Sequence, residues 1–257
     1  MKKFAIVTRL DEKSRVIEKQ IVQRLEAEGF VMDTEAPDYC FVVGGDGTFL
    51  YAVHQYLSRI DCISFFGIHT GTLGFMTDYV DNELDDFIND FLKKEHKFVE
   101  YQLLEITVDN QKKYYALNEM RIENIHRTQS INVCVNGLEF ESYRGTGLCI
   151  STQLGSTAYN RSVGGSVIQE GLPIIQMSEI AGIHNKSYHS LGASIVMKED
   201  AIITLHSDNY NGARLCYDAQ NTSLDGVHAI RVALGPHKVK MIRLKNINYF
   251  KRLSDLF

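Results

Sequence analysis

The residues with the most evident chemistry are Gly44, Gly45, Asp46, Gly47 and Thr48, three glycines crowded around one aspartate between two apolar runs (FVVGGDGTFL). Glycine lets a backbone approach a ligand with no Cβ between them and take φ values that other residues avoid. A helix starting just after the glycines offers unpaired amides and a partial positive charge, a cradle for phosphate. Asp46 in such a loop would repel the anion the loop attracts. The conflict disappears if Asp46 is a general base, taking the proton of a hydroxyl that attacks a phosphoryl group held beside it. The plainer alternative is a strand-to-helix turn in which Asp46 caps the helix.

Three later stretches bear on the choice. Asn118 and Glu119 place an amide and a carboxylate together at the end of a strand-like run, YALNE. Arg144 enters a glycine-flexed loop, YRGTGL, at 143–148. The segment STQLGSTAYNRS at 151–162 packs hydroxyls, a glycine and Tyr159 densely, then meets Gly164-Gly165. Such a segment can give neutral hydrogen bonds to a ribose or purine and an aromatic face to stack on; it can also be a Ser/Thr-rich turn before a short helix.

The elements that must position these residues change character along the chain. Strand-like runs at 3–8, 38–43 and 63–69 alternate with helical stripes at 12–29, 48–57 and 81–95, the last acidic at its start and basic at its end. Alternation of this kind implies a parallel sheet, with ligands beyond the carboxyl ends of its strands. Both glycine loops, 44–48 and TGTLGF at 70–75, fall at that edge. After about residue 98 strand-like runs follow one another, at 98–109, 113–123, 130–136, 138–143, 147–152, 193–197, 201–206, 213–218 and 227–234. Asn136-Gly137 is a strong hairpin signal among them. The expectation is an α/β + β chain. Residues 1–99 plus 236–257 form a Rossmann-like domain with a parallel sheet, completed by the C-terminal tail. Residues 100–235 form a mostly antiparallel, sandwich-like β domain. In the tail, a short amphipathic helix sets Tyr249, Phe250, Leu253 and Phe257 to pack.

Composition narrows the partners. With 27 basic and 32 acidic residues the net charge is −5, which argues against nucleic acid or an anionic membrane surface. No apolar run approaches the roughly 20 residues of a membrane span, and the start is not of secretory type. Five widely spaced cysteines fit reduced core residues of a cytoplasmic protein, and no Cys/His spacing suggests structural zinc.

In order and approximate spacing, GGDGT (44–48), HTGTLGF (69–75), ALNE (116–119), RGTGL (144–148), STQLGSTAYNRSVGG (151–165) and EIAGI (179–183) resemble the NAD kinase family over most of the chain. GGDG alone is shared with lipid kinases and phosphofructokinases; the later segments are far more specific. The resemblance implies ATP-dependent phosphorylation of the adenosine ribose 2′-hydroxyl of NAD to give NADP, with a divalent metal such as Mg²⁺. It further implies a homodimer or homotetramer and NAD bound between domains. Asp46 matches the family's general base, and Gly44, Gly45 and Gly47, with Thr48, its phosphate-binding backbone. Asn118 and Glu119 match the pair on the adenosine part, and Phe75 falls near the adenine. Thr157, Ala158, Tyr159 and Ser162, with Asn160 and Arg161 among them, match the segment lining the nucleotide site. Ala181 lies in the EIAGI match, and Arg144 precedes the lining segment. The chain departs from the pattern at Thr146, where an aspartate is common, at Gln153-Leu154, and at Ala219, where glycine is frequent.

Two other readings stay in view. A diacylglycerol- or sphingoid-type lipid kinase shares GGDGT but carries its asparagine and glutamate directly after the loop, where this chain has Phe49-Leu50-Tyr51-Ala52. A dinucleotide-binding sensor without catalysis would fit Thr146, but gives no reason for a carboxylate beside phosphate.

Overall fold

The computed structural model describes residues 1–71, 74–184 and 188–256. Thr72 and Leu73 of the second glycine loop, Asn185, Lys186, Ser187 and the terminal Phe257 lie outside the described residues. The chain divides into two compact units, residues 1–101 with 237–257, and residues 102–236.

The first unit opens with β1 (Lys3–Thr8), α1 (Glu12–Ala27), β2 (Val31–Met32), β3 (Tyr39–Val43), α2 (Asp46–Gln55), β4 (Ser64–His69), β5 (Tyr79–Val80) and α3 (Leu84–Lys93). The strands lie in the order β2-β1-β3-β4 and every pairing is parallel. Residues 40–43 and 65–68 are buried throughout, as parallel strands covered on both faces require. One side of the sheet is filled by an aromatic cluster in which Phe66 stacks on Phe87 at 4.3 Å and Phe41 meets Phe91 edge-on at 4.8 Å. Helix α1 ends where the stripe predicts, with Gly29 at φ 81° just beyond it. Helix α3 is shorter than the 81–95 stripe at both ends: residues 81–83 form a separate 3-10 turn, and Lys94 is already extended.

The second unit contains β6 (Phe98–Val108, entering from the first), β7 (Lys112–Ala116), β8 (Glu119–Glu123), β9 (Gln129–Val135), β10 (Leu138–Gly145) and β11 (Gly147–Thr152). After the short helix α4 (Tyr159–Ser162) come β12 (Ile174–Ile180), β13 (Ile195–Lys198), β14 (Ile203–His206), β15 (Arg214–Tyr217), β16 (Gln220–Ser223) and β17 (Ala229–Ile242). One antiparallel sheet runs β13-β12-β11-β8-β15-β16. The other is built from β10-β9-β14, the first part of β17, β6 and β7. Alternate side chains of both sheets, such as Ile122, Ile150 and Leu215 from one and Ile106, Val133 and Ile203 from the other, meet in one buried core. Asn136 and Gly137 both take positive φ, 51° and 80°, in the hairpin joining β9 to β10.

Three differences between the sequence expectations and the fold bear on the site. The run 113–123 is two strands in two sheets, broken at Leu117-Asn118. Strand β12 has no counterpart among the strand-like runs of the sequence, and its end falls in EIAGI. The chain returns to the first unit within β17 and ends in α5 (Tyr249–Leu256), whose buried residue is Arg252, while Phe250 is 59% exposed.

Candidate active site

In the first unit, β3 delivers Gly44 and Gly45 to the carboxyl edge of the parallel sheet, where Gly45 is the N-cap of α2. A Cβ at Gly44 would overlap Thr48, so the tight turn into the helix needs glycine there. Asp46 is the first helical residue and caps nothing in its own helix. Its carboxylate reaches the second glycine loop instead: Phe75 N–H donates to Oδ2 at 2.9 Å and Met76 N–H to Oδ1 at 3.1 Å. Gly74 permits this, since a Cβ there would stand 2.6 Å from Asp46 Cγ.

His69, at the end of β4, completes this edge. Its Nδ1 accepts from Gly71 N–H at 2.9 Å, which leaves the proton of the neutral ring on Nε2. A Cβ at Gly45 would stand 2.9 Å from that Nε2. Burial holds the imidazole below its ordinary pKa, with the Asp46 carboxylate pulling the other way. Phe75 is half-buried, its ring 6.1 Å from that of Tyr249.

In the second unit, the corner Leu117-Asn118 carries the chain from one sheet to the other. Asp218 anchors it, its two carboxylate oxygens accepting Leu117 N–H and Asn118 N–H at 2.8 Å each. The Asp218 amide donates in turn to the Glu119 carbonyl at 3.0 Å. In the hairpin turn, the positive φ of 48° belongs to Asp218 and not to Ala219, so the turn does not need glycine at 219. From the other side, Thr152 Oγ1 donates to the Leu117 carbonyl at 2.7 Å, and a Cβ at Gly155 would overlap the Asn118 carbonyl. The 151–157 segment is thereby locked onto the corner.

Asn118 and Glu119 are both buried, and neither Asn118 Oδ1 nor Glu119 Oε2 has a hydrogen-bond partner among the described residues. Burial first, and the Asp218 carboxylate second, push the Glu119 carboxyl up to about 7. Buried acceptors left unpaired are costly in a folded chain, and these two leave the corner able to accept a ligand's donors.

The other candidate residues differ in burial and in what they bond. Tyr159, half-buried, donates from its hydroxyl to Glu123 at 2.8 Å, and the Arg121 guanidinium lies 3.9 Å over its ring. Thr157 and Ala158 precede it and are half-buried; Arg161 and Ser162 are exposed. Asn160 is fully buried and accepts from the Ser178 hydroxyl at 2.8 Å, a structural tie between α4 and β12. Arg144 bonds the Tyr188 hydroxyl and lies 5.0 Å from the centre of that ring. Its glycine neighbours are packed rather than flexed: a Cβ at Gly147 would overlap the Ile122 carbonyl, and one at Gly145 the Tyr143 hydroxyl. That hydroxyl donates to Ile180 O at 2.7 Å and accepts from Gly147 N–H at 2.9 Å, fixing Thr146 between β10 and β11. Ala181 takes a φ of 49° just after β12.

Asp218 and His69 shape these settings although the sequence does not single them out. Asp218 acts from a hairpin tip a hundred positions away, and no local pattern marks it. His69 lies inside the HTGTLGF match, so its place at the edge of a glycine loop was the available signal.

The ATP-NAD kinase C-terminal domain family matches residues 117–244. NAD kinase 1 of Bacillus cereus is 34% identical over 260 residues, covering 99% of this chain and 98% of that protein. Two solved structures share the fold. One is yeast NADH kinase complexed with NADH (TM-score 0.87, 16% identity, 100% of this chain and 87% of that one). The other is an NAD kinase from Archaeoglobus fulgidus in complex with ATP (TM-score 0.79, 21% identity, 99% and 98%). A match at this identity over essentially the whole length of both proteins, on the same fold, establishes that the chain belongs to the NAD kinase family.

Proposed function

We propose that this chain transfers the γ-phosphoryl group of ATP to the 2′-hydroxyl of the adenosine ribose of NAD, giving NADP and ADP, with Asp46 as general base. The observation that carries the reading is the setting of Asp46, a carboxylate oriented by two backbone amides at the ligand edge of a parallel sheet. A carboxylate has about four acceptor positions, so two amide bonds leave room for the substrate hydroxyl. As the hydroxyl oxygen bonds to the γ-phosphorus and the bond to the β-phosphate oxygen breaks, the hydroxyl proton passes to Asp46. The glycine-loop backbone and the first turn of α2 hold phosphate, and Asn118 and Glu119 accept from the adenosine part. Phosphoryl transfer depends mainly on positioning and charge neutralisation, so few acid–base residues are needed.

The residues present fit a divalent cation of the Mg²⁺ kind. Among the described residues no group of three or more His, Cys, Asp or Glu side chains is placed to hold a metal ion. Mg²⁺ needs no such cage, since it is commonly held by substrate phosphates and waters with few protein ligands, and the glycine-loop edge that would hold those phosphates would place it. When bound it neutralises phosphate charge.

The reading extends to a homodimer or homotetramer in the cytoplasm, which sedimentation velocity and cell fractionation would check. No helix among the described residues is long and apolar enough to cross a membrane. The central test is incubation of the purified protein with ATP, Mg²⁺ and NAD, with NADP read by a coupled dehydrogenase. NADP formation is expected. Turnover of a lipid alone, or nucleotide binding without product, would overturn the assignment.

A further inference from the structure

The C-terminal helix α5 carries a buried arginine whose contacts converge on the segment that holds Asp46. Arg252 Nη1 donates to the carbonyls of Gly74 at 2.9 Å, Phe75 at 3.3 Å and Thr77 at 2.6 Å, and Nη2 donates to Asp78 Oδ1 at 2.5 Å. Arg243, just beyond β17, adds bonds to Asp78 Oδ1 and to the Phe75 carbonyl, each 2.7 Å. All three side chains are mostly buried, with two cations against one carboxylate.

The peptide geometry gives these contacts a direction. In a trans peptide the C=O and N–H point opposite ways, and the chain has no cis bond among the described residues. The carbonyl of Gly74 and the amide of Phe75 belong to one peptide unit; the carbonyl of Phe75 and the amide of Met76 belong to the next. Arg252 grips both carbonyls, and Asp46 accepts from both amides. Two successive peptide groups therefore stand between a guanidinium and a carboxylate, each fixed from both ends. Hydrogen bonds in such a chain polarise one another, so the buried cations strengthen the amides as donors to Asp46. Docking a helix would not need this: an apolar side chain fills the same space without the desolvation cost of a buried cation.

We propose that Arg252, supported by Arg243, is a positioning residue for Asp46, so that the C-terminal helix sets the geometry of the base in the first unit. The inference rests on the base reading of Asp46. Its test uses the full chain with Arg252→Met and Arg252→Lys. The readouts are kcat per folded protein, KM for ATP and for NAD, and hydrogen exchange of the Phe75 and Met76 amides.

For Arg252→Met, kcat should fall by about tenfold or more with both KM values within about twofold, the signature of lost transition-state positioning. The two amides should exchange faster, and Arg252→Lys, which keeps the charge but not the fork, should recover part of both effects. If Arg252→Met does not fold, Arg252→Lys carries the test through the same readouts. Unchanged amide exchange would overturn the proposal, as would unchanged kcat per folded protein alongside a lower melting temperature. Failure of the base reading shows separately: Asp46→Asn would then turn over normally, whatever the exchange data say.

Discussion

Asp46 and the Asn118–Glu119 pair offer acceptors in opposite conditions. Asp46 is half-buried, and each of its oxygens already holds a backbone amide. Asn118 and Glu119 are buried, yet one oxygen of each has no donor among the described residues. On the proposed function, the difference matches two tasks. A base must be aimed before substrate arrives, so the fold spends its own donors on it. A recognition group must keep its acceptors for the ligand, and the folded chain carries the cost until the ligand's donors supply the missing bonds.

The largest effect on stability expected from this contrast is at Glu119. Its carboxyl is raised to about 7 in the fold, against an ordinary 4.5. The folded state therefore holds a proton that the unfolded state releases, and stability falls as pH rises between those values. Glu119→Gln should be more stable than the parent by about 3 kcal/mol at pH 8, with the gain gone below about pH 4.5, as read by urea unfolding across pH. A gain independent of pH would show that Glu119 is not buried against its charge.

Gly74→Ala attacks the other side of the comparison. The added methyl would displace the Asp46 carboxylate, and a misplacement of this order should lower kcat about 100-fold while KM for NAD stays near the parent value. Asp218→Ala should cost about 2 kcal/mol, since it strands two buried amides at the Leu117-Asn118 corner. The measurement belongs near pH 5, where Glu119 is protonated and relief of its repulsion from Asp218 does not mask the loss. Tyr159→Phe should cost about 1 kcal/mol or less, losing one hydrogen bond to Glu123 while the ring keeps its place beside Arg121.

What could be read from the sequence was local or periodic. The glycine loop, α1 with Gly29 beyond it and the Asn136-Gly137 hairpin declare themselves within a few residues, because turn chemistry and hydrophobic period are local properties. The break at Leu117-Asn118 was not legible, since strand-like residues continue through 113–123 and the carboxylate that turns the chain is Asp218. Arg252 was hidden for a different reason. The apolar pattern of the tail set Phe250 to pack, whereas the helix turns Phe250 outward and buries the arginine, whose partners are carbonyls with no sequence signature. Of the site, the GGDGT and STQLGSTAY segments are recognisable from their residues; the donors and anchors that give Asp46 and Asn118 their settings follow only from the fold.

The most direct test compares the parent protein and Asp46→Asn in single-turnover NADP formation at saturating ATP, Mg²⁺ and NAD, with NAD affinity measured in parallel. The account predicts a rate lowered by roughly 10²–10⁴-fold, the range for loss of a general base, with NAD affinity changed only a few-fold. A rate close to that of the parent protein would contradict it.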